Sequence, residues 1–335
     1  MLLIPISYAE SACVDSQQQS SNIVVLVTDG EFFEESYNAF KAEFIGHKRV
    51  SNNTLIKNTT IKKMLVTQQH QEYKALESIF TGTTPPKLVV IIGNEAANFY
   101  TNSKRYYTNR NPNIHKSPVY IFGSLYADEL VSLIGNAAGM RYEIPAVTSI
   151  TLLRALMHNN VNSVGIIYRV WAQEFVRRNE GYLQQEGVKL NTIQVANGTP
   201  NDIDRSIRLA LKALFQQQVD AIFIVNDNIL LNPQTLANAW LPILSNQYIP
   251  VIVNVPNLVA ADLDFGLLSV YPTAKKLGYQ AAEIVFEIIN NNWDVSVVDV
   301  QEPISSTVKF NKKLAVKNQI EFNKDIMVEL DLVVD

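Results

Sequence analysis

AIFIVNDNIL, residues 221–230, decides how the chain reads. Ala221 to Val225 are apolar and mostly β-favouring, which suits a strand buried on both faces. The chain then turns polar at Asn226, Asp227 and Asn228. A doubly buried strand belongs to a parallel sheet with helices on both sides. In open sheets of this kind, ligands bind just beyond the carboxyl ends of the strands. The polar triplet therefore marks a fold and also a place to look for a site.

Working outward, the same alternation recurs. IVVLVT (23–28), KLVVIIG (87–93), VYIFG (119–123) and SVGIIY (163–168) are each followed by an amphipathic stretch. VKLNTIQV (188–195), VIVNV (251–255) and GLLSV (266–270) continue the series. PTAKKLGYQAAEIVFEIINN (272–291) reads as a long amphipathic helix opened by Pro272, and Gly187 reads as a helix stop. Near-continuous apolar strands alternating with helices indicate α/β architecture with parallel sheets. The units before and after about residue 145 look comparable, which predicts two similar lobes. VSNNTLIKNTTIKKMLV, within 46–66, reads at most as one irregular strand.

The 335 residues exceed one ordinary core and suit two domains. Hydrophobic residues make up 47% and charged residues 18%, as in a globular protein. A net charge of −4 without a basic run argues against nucleic acid or an anionic membrane as partner. Cys13 is the single cysteine, so an internal disulfide and a thiolate metal cluster are excluded. No segment beyond the N-terminus approaches the roughly 20 apolar residues of a membrane span. Residues 1–21 begin apolar, and Ser7-Tyr8-Ala9 fits the small-x-small rule of signal cleavage. The expectation is a signal-peptide remnant and unstructured leader; an N-terminal tag on a cytoplasmic protein is the alternative. Lipid anchoring through Cys13 is the weaker option, because Glu10-Ser11-Ala12 lacks an aliphatic residue.

The residues after each strand are the candidate ligand contacts. They are Thr28 and Asp29, then Asn94, then Ser124 and Tyr126, then Tyr168, Arg169 and Trp171. Asn226 and Asp227, Asn254, and finally Tyr271 complete the set, with Phe32 close behind the first strand. Amides, hydroxyls and aromatic rings suit a neutral or zwitterionic small molecule. Asp227 is expected to receive an ammonium or hydroxyl group. Arg169 could pair a ligand carboxylate or stand solvated.

Catalytic signatures are lacking: there is no G-x-S-x-G, G-x-x-x-x-G-K-[ST], G-x-G-x-x-G or H-E-x-x-H. His47, His70, His115 and His158 are scattered and read as surface residues, and no metal ligand set is expected. STVK at 306–309 matches S-x-x-K, but it lies in extended chain after Pro303, where the motif would need a helix. Neither an enzyme nor a cofactor is expected.

EIPAVTSITLLRALMHNNVNSVGIIYRVWAQEFVRRNEGYLQQEGVKL (143–190) resembles ABC transporter substrate-binding proteins, in the group related to tryptophan and tyrosine binders. VDAIFIVNDNIL, IPVIV, GLLSVYPTAKKLGYQAAEIVFEII and VKFNKKLAVKNQI follow in the order of that group, and the likeness spans about 120–322. AAGMRYEI (137–144) stands where the family usually carries Asn-x-Thr-Gly. The resemblance implies a type I periplasmic-binding-protein fold of two Rossmann-like lobes around a ligand cleft. By analogy, lobe I would be 22–144 plus 271–298 and lobe II 145–270 plus 299–335. It also implies a periplasmic or extracytoplasmic monomer that binds a small molecule, an amino acid and an aromatic one foremost, by hinge closure. The partner would be an ABC permease in the inner membrane. Walls from Tyr168, Trp171, Phe32 and Tyr126, and an acceptor site from Ser124 and Thr28, would complete the site. The alternative is a sensory module of the same fold signalling to a partner protein. A repressor would need a helix-turn-helix head, which residues 1–22 do not supply.

Overall fold

The structure is a computed structural model that describes residues 22–67, 73–157 and 161–335. The expected leader, His70 and His158 lie outside the described residues.

Two sheets organise the chain. The first holds β1 (Asn22–Thr28), β2 (Thr60–Val66), β3 (Leu88–Ile92), β4 (Val119–Ser124) and β5 (Ala137–Arg141). They are parallel, in the order β2-β1-β3-β4-β5. Every residue of β3 is buried, as its apolar run requires. The period of two divides the sheet's side chains between two cores. Ile23, Val25, Val27, Val90 and Ile92 face one, while Val24, Leu26, Val89 and Ile91 face the other.

The second sheet holds β6 (Ser163–Tyr168), β7 (Lys189–Gln194), β8 (Ala221–Ile224), β9 (Val251–Val253), β10 (Leu268–Tyr271), β11 (Thr307–Asn311) and β12 (Leu332–Val334). Their order is β12-β11-β10-β9-β8-β6-β7. This sheet is not wholly parallel, because β11 runs antiparallel to β10. A separate core of buried apolar residues from Ile144 to Ala315 surrounds it.

The chain crosses between the sheets three times. It leaves β5 through the helix Ala146–Leu156 toward β6. It returns from β10 through the helix Ala274–Asn290, whose Leu277, Ala281, Val285 and Ile289 join a core of the first sheet. It crosses again before β11, where Gln301 bridges the edge of β5: Arg141 N donates to Gln301 O at 2.9 Å, and Gln301 N to Gly139 O at 3.0 Å.

Two segments differ from the sequence reading. The stretch expected to hold one irregular strand contains the short helix Thr54–Asn58 and then β2, in unbroken register with β1. Its exposed lysines and threonines hide a strand that sits at the sheet edge, where one face stays wet. β12 and the helix Lys324–Val328 were also not anticipated.

Candidate functional site

The carboxyl ends of the two sheets face one another across a cavity of about 460 Å³. Thr28, Asp29, Phe32 and Phe33 line it from the end of β1 and the first turn of the helix Glu31–Val50. Asn94, Glu95, Leu125 and Tyr142 add to that wall, and Asn226, Asn228 and Pro256 face them from the second sheet. A second cavity of about 390 Å³ shares Tyr142, Asn226 and Asn228 and runs on to Leu231, Leu236 and Leu258. Among the described residues, no lysine or arginine lines either space.

Two long helices begin at the first cavity, and both have glycine at the N-cap, Gly30 and Gly93, each at positive φ. A Cβ on Gly93 would stand 2.5 Å from Thr28 Oγ1, so only glycine fits. Thr28 takes over part of the capping role: its Oγ1 accepts from Ala96 N at 3.0 Å. Helix starts aimed at a cavity present N–H groups and a partial positive charge, which suits a carboxylate. Asn94 holds the neighbouring loop after β4, donating to Leu125 O at 3.1 Å and accepting from Leu125 N at 2.8 Å.

The rings form one block. Phe32 meets Phe33 edge-on at 5.5 Å and Tyr142 at 5.6 Å between centroids, geometries that aromatic pairs favour. Burial pushes the Tyr142 hydroxyl up to about 12, with Glu143 and Tyr271 adding to the shift, so Tyr142 is neutral at ordinary pH.

Asp227 does something other than what the sequence suggested. Its carboxylate accepts from Arg169 Nε and Nη2, both at 2.8 Å, and from Ile229 N at 2.8 Å. It is buried and does not line the cavity. Arg169 is equally engaged, donating also to Asn197 Oδ1 at 2.6 Å. The two charges thus answer each other and fix the turn after β8. Trp240 Nε1 donates to Leu230 O at 2.7 Å and anchors the same turn to the core.

Tyr126 bridges the cleft. It sits in the left-handed region, with φ 57, at the N-cap of the helix Ala127–Ile134. Its hydroxyl donates to Asn226 O at 2.9 Å, and its backbone N donates to Glu143 Oε1 at 2.7 Å. Burial, reinforced by Asp227 and Glu143, holds its hydroxyl far above the usual range, so it remains a donor. Burial pushes Glu143 up to about 7, although the bond from Tyr126 N opposes the shift.

Of the sequence candidates, Thr28, Asp29, Phe32, Asn94 and Asn226 meet at the first cavity. Tyr126 and Trp171 line a side cavity of about 230 Å³, which they share with Asn94. Trp171 is 56% exposed there and forms a rim, not a closed wall. Ser124 and Asn254 are buried at strand ends, and Ser124 Oγ and Asn254 Oδ1 have no hydrogen-bond partner among the described residues. Tyr168 packs against the second core, and Tyr271 ends β10; neither lines these cavities. Phe33 and Tyr142 were missed. Phe33 follows Phe32 directly, while Tyr142 lies in AAGMRYEI, where no strand signal points to a site.

The architecture has solved counterparts. An ABC domain in complex with L-Trp from Streptococcus pneumonia superposes with a TM-score of 0.58 at 17% identity, covering 94% of this chain and 100% of that one. The ligand-free, open structure of a substrate-binding protein with adhesive properties from Clostridium difficile gives 0.61 at 15%, over 94% and 99%. The fold is the type I periplasmic-binding-protein fold. A conserved domain protein from Vibrio cholerae shares it, with a TM-score of 0.58 at 14% identity over 94% and 100%. No family model matches the chain, and no curated protein matches it by sequence. In a type I periplasmic-binding-protein fold, the cavity between Phe32 and Asn228 is the interlobe cleft. No described helix is long and apolar enough to cross a membrane.

Proposed function

We propose that the chain is an extracytoplasmic solute-binding protein that serves an ABC importer and holds an amino acid, an aromatic one foremost, in the interlobe cleft. The observation that carries this reading is the cavity of about 460 Å³ with an aromatic block and two glycine-started helices on one side and amides on the other. A volume in this range suits a small molecule. Phe32, Phe33 and Tyr142 would cover an apolar side chain. The starts of the helices Glu31–Val50 and Asn94–Arg110 would receive the carboxylate without any cationic side chain. Asp29, Asn226 and Asn228 would take the ammonium group. The L-Trp complex of the streptococcal ABC domain supports the ligand class. Closure would bring the lobes together about the crossing segments, and ligand would favour the closed form by its differential affinity. The partner would be an inner-membrane permease, reached by a monomer in the periplasm, and no chemical step is assigned to the cleft.

The test is native mass spectrometry of the purified protein, with identification of any released small molecule, followed by thermal unfolding against a panel of amino acids. A ligand selective for the native state raises the melting temperature by mass action. Retention of an amino acid, or a shift confined to aromatic ones, supports the reading. A protein indifferent to every amino acid overturns it.

A further inference from the structure

Away from the cleft, the helices Glu31–Val50 and Ala274–Asn290 run side by side and parallel. At their closest approach a Cβ on Gly278 would lie 2.3 Å from Ser36 O and 2.7 Å from Ala39 Cβ, so the backbones touch and only glycine fits. Further along, Phe44 stacks on Phe286 at 4.9 Å, and Asn53 Nδ2 donates to Asn290 Oδ1 at 2.7 Å. The pair is therefore fixed from Gly278 to Asn290, about three turns of the second helix.

Three of those side chains converge. Glu43 and His47 stand at i and i+4 on one helix, and Glu283 faces them from the other. His47 Nε2 lies 3.8 Å from Glu43 Oε1 and 3.3 Å from Glu283 Oε1, and all three donor atoms fall within 4.8 Å of one another. The His47 ring packs against Phe286, 4.6 Å between centroids, which fixes its plane. Donors bonded at about 2.0–2.2 Å to a tetrahedral ion stand roughly 3.3–3.6 Å apart. The two spacings from His47, 3.3 and 3.8 Å, span that range, and a small rotation of the exposed carboxylates brings the third donor into it. Among the described residues, no lysine or arginine lies within ion-pair distance of Glu43 or Glu283. Glu287 adds a further carboxylate to the groove of about 530 Å³ beside them.

We propose that Glu43, His47 and Glu283 form a site for a divalent transition-metal ion, of which zinc is the best fit, pinning the helix that returns from the second sheet onto the first helix of the chain. One imidazole and two carboxylates suit borderline ions over calcium or magnesium, which prefer all-oxygen sets. Partial exposure of the three side chains leaves the remaining coordination position to water. Nothing along the chain points to this cluster, because Glu283 is 236 positions from His47 and the histidines look isolated.

The experiment uses zinc alone, on chelator-treated full-length protein, read by isothermal titration and thermal unfolding. One ion per chain and a raised melting temperature are expected. His47→Gln and Glu283→Gln should each weaken binding at least about tenfold, as loss of a directly bonded ligand must exceed the effect of losing a supporting one. Both positions are half-exposed, so the variants should fold, and their melting temperatures without zinc report on that directly. Zinc binding that persists undiminished in His47→Gln overturns the proposal. So does a wild-type protein that takes up no zinc, in which case the three groups are only a half-exposed polar cluster between two helices. Calcium or magnesium binding in preference to zinc would also overturn it.

Discussion

Arg169 and Asp227 form a bidentate pair, with two N–O distances of 2.8 Å, at the ends of two adjacent strands of the second sheet. Only 2% of the Asp227 side chain and 13% of Arg169 reach solvent. Removing one member of a buried pair leaves an uncompensated charge and costs about 3–5 kcal/mol. Asp227→Ala should therefore lower the unfolding free energy by that order, and Arg169→Met with Asp227→Leu together should cost less than Asp227→Ala alone. Urea denaturation of the three proteins checks this. Unchanged stability in Asp227→Ala, combined with lost ligand binding, would instead return the carboxylate to the ligand.

The aromatic block should set affinity for an apolar side chain. Phe32 touches the other two rings, so Phe32→Ala removes its own contact and frees Phe33 and Tyr142. Loss of a buried aromatic contact of this kind is worth about 1.5–3 kcal/mol, or roughly 10- to 100-fold in Kd. Titration of an aromatic amino acid into wild type and Phe32→Ala measures it. Equal affinities would place the side chain elsewhere, along the apolar run from Leu231 to Leu258.

How far the fold could be read from sequence depends on burial. β1, β3, β4 and β8 are apolar because both faces are covered, and their run lengths identify them. β2 and β12 expose one face or an end, so tertiary pairing, not composition, makes them strands. The candidate site divides the same way. Thr28, Asn94 and Asn226 follow strands directly, so the open-sheet rule locates them. Tyr142 follows β5, whose AAGMR lacks a β-favouring run, and only the crossing geometry brings it to Phe32. Asp227 was legible as a polar strand end, but its partner Arg169 stood ready to answer it, and sequence alone does not weigh one pairing against another.

The lobes are also tied by charge. Asp128 accepts from Arg141 at 2.6 and 2.8 Å and from Arg178 at 3.0 Å, while Glu302 lies 3.1 Å from Arg141 and 3.6 Å from Arg178. Arg178 sits on the helix Gln173–Gln185 of the second lobe, and Asp128 on the helix Ala127–Ile134 of the first. Burial disfavours the Asp128 carboxylate, but the bonds from Arg141 and the two positive charges outweigh it and hold the group below its usual range. Arg178→Ala removes the link across the cleft and leaves Arg141 with both carboxylates. The expected loss is about 1–3 kcal/mol, reduced from the fully buried case by partial exposure. Small-angle scattering should also show a larger radius of gyration. An unchanged radius would mean that the Tyr126–Asn226 bond and the crossing segments alone set the lobe angle.

Glu143 gives the crossing a pH response. It is buried in the segment that leaves β5, and Glu143 Oε2 has no hydrogen-bond partner among the described residues. Burial raises it to about 7 from the ordinary 4.5, against the opposing bond from Tyr126 N and the charge of Arg178, with Glu129 adding to the rise. The folded protein thus holds this proton more tightly than the unfolded chain. Its contribution to stability is complete below about pH 4.5, declines between 4.5 and 7, and is lost above 7. The gap corresponds to roughly 3 kcal/mol. Glu143→Gln keeps an oxygen to accept from Tyr126 N and never ionises. The variant should therefore gain on the wild type by that order between pH 4.5 and 8, because every other titrating group is common to both proteins. Chemical denaturation of the pair at the two pH values measures the difference. A constant offset would mean that water reaches the carboxylate and that Glu143 titrates alike in the folded and unfolded protein.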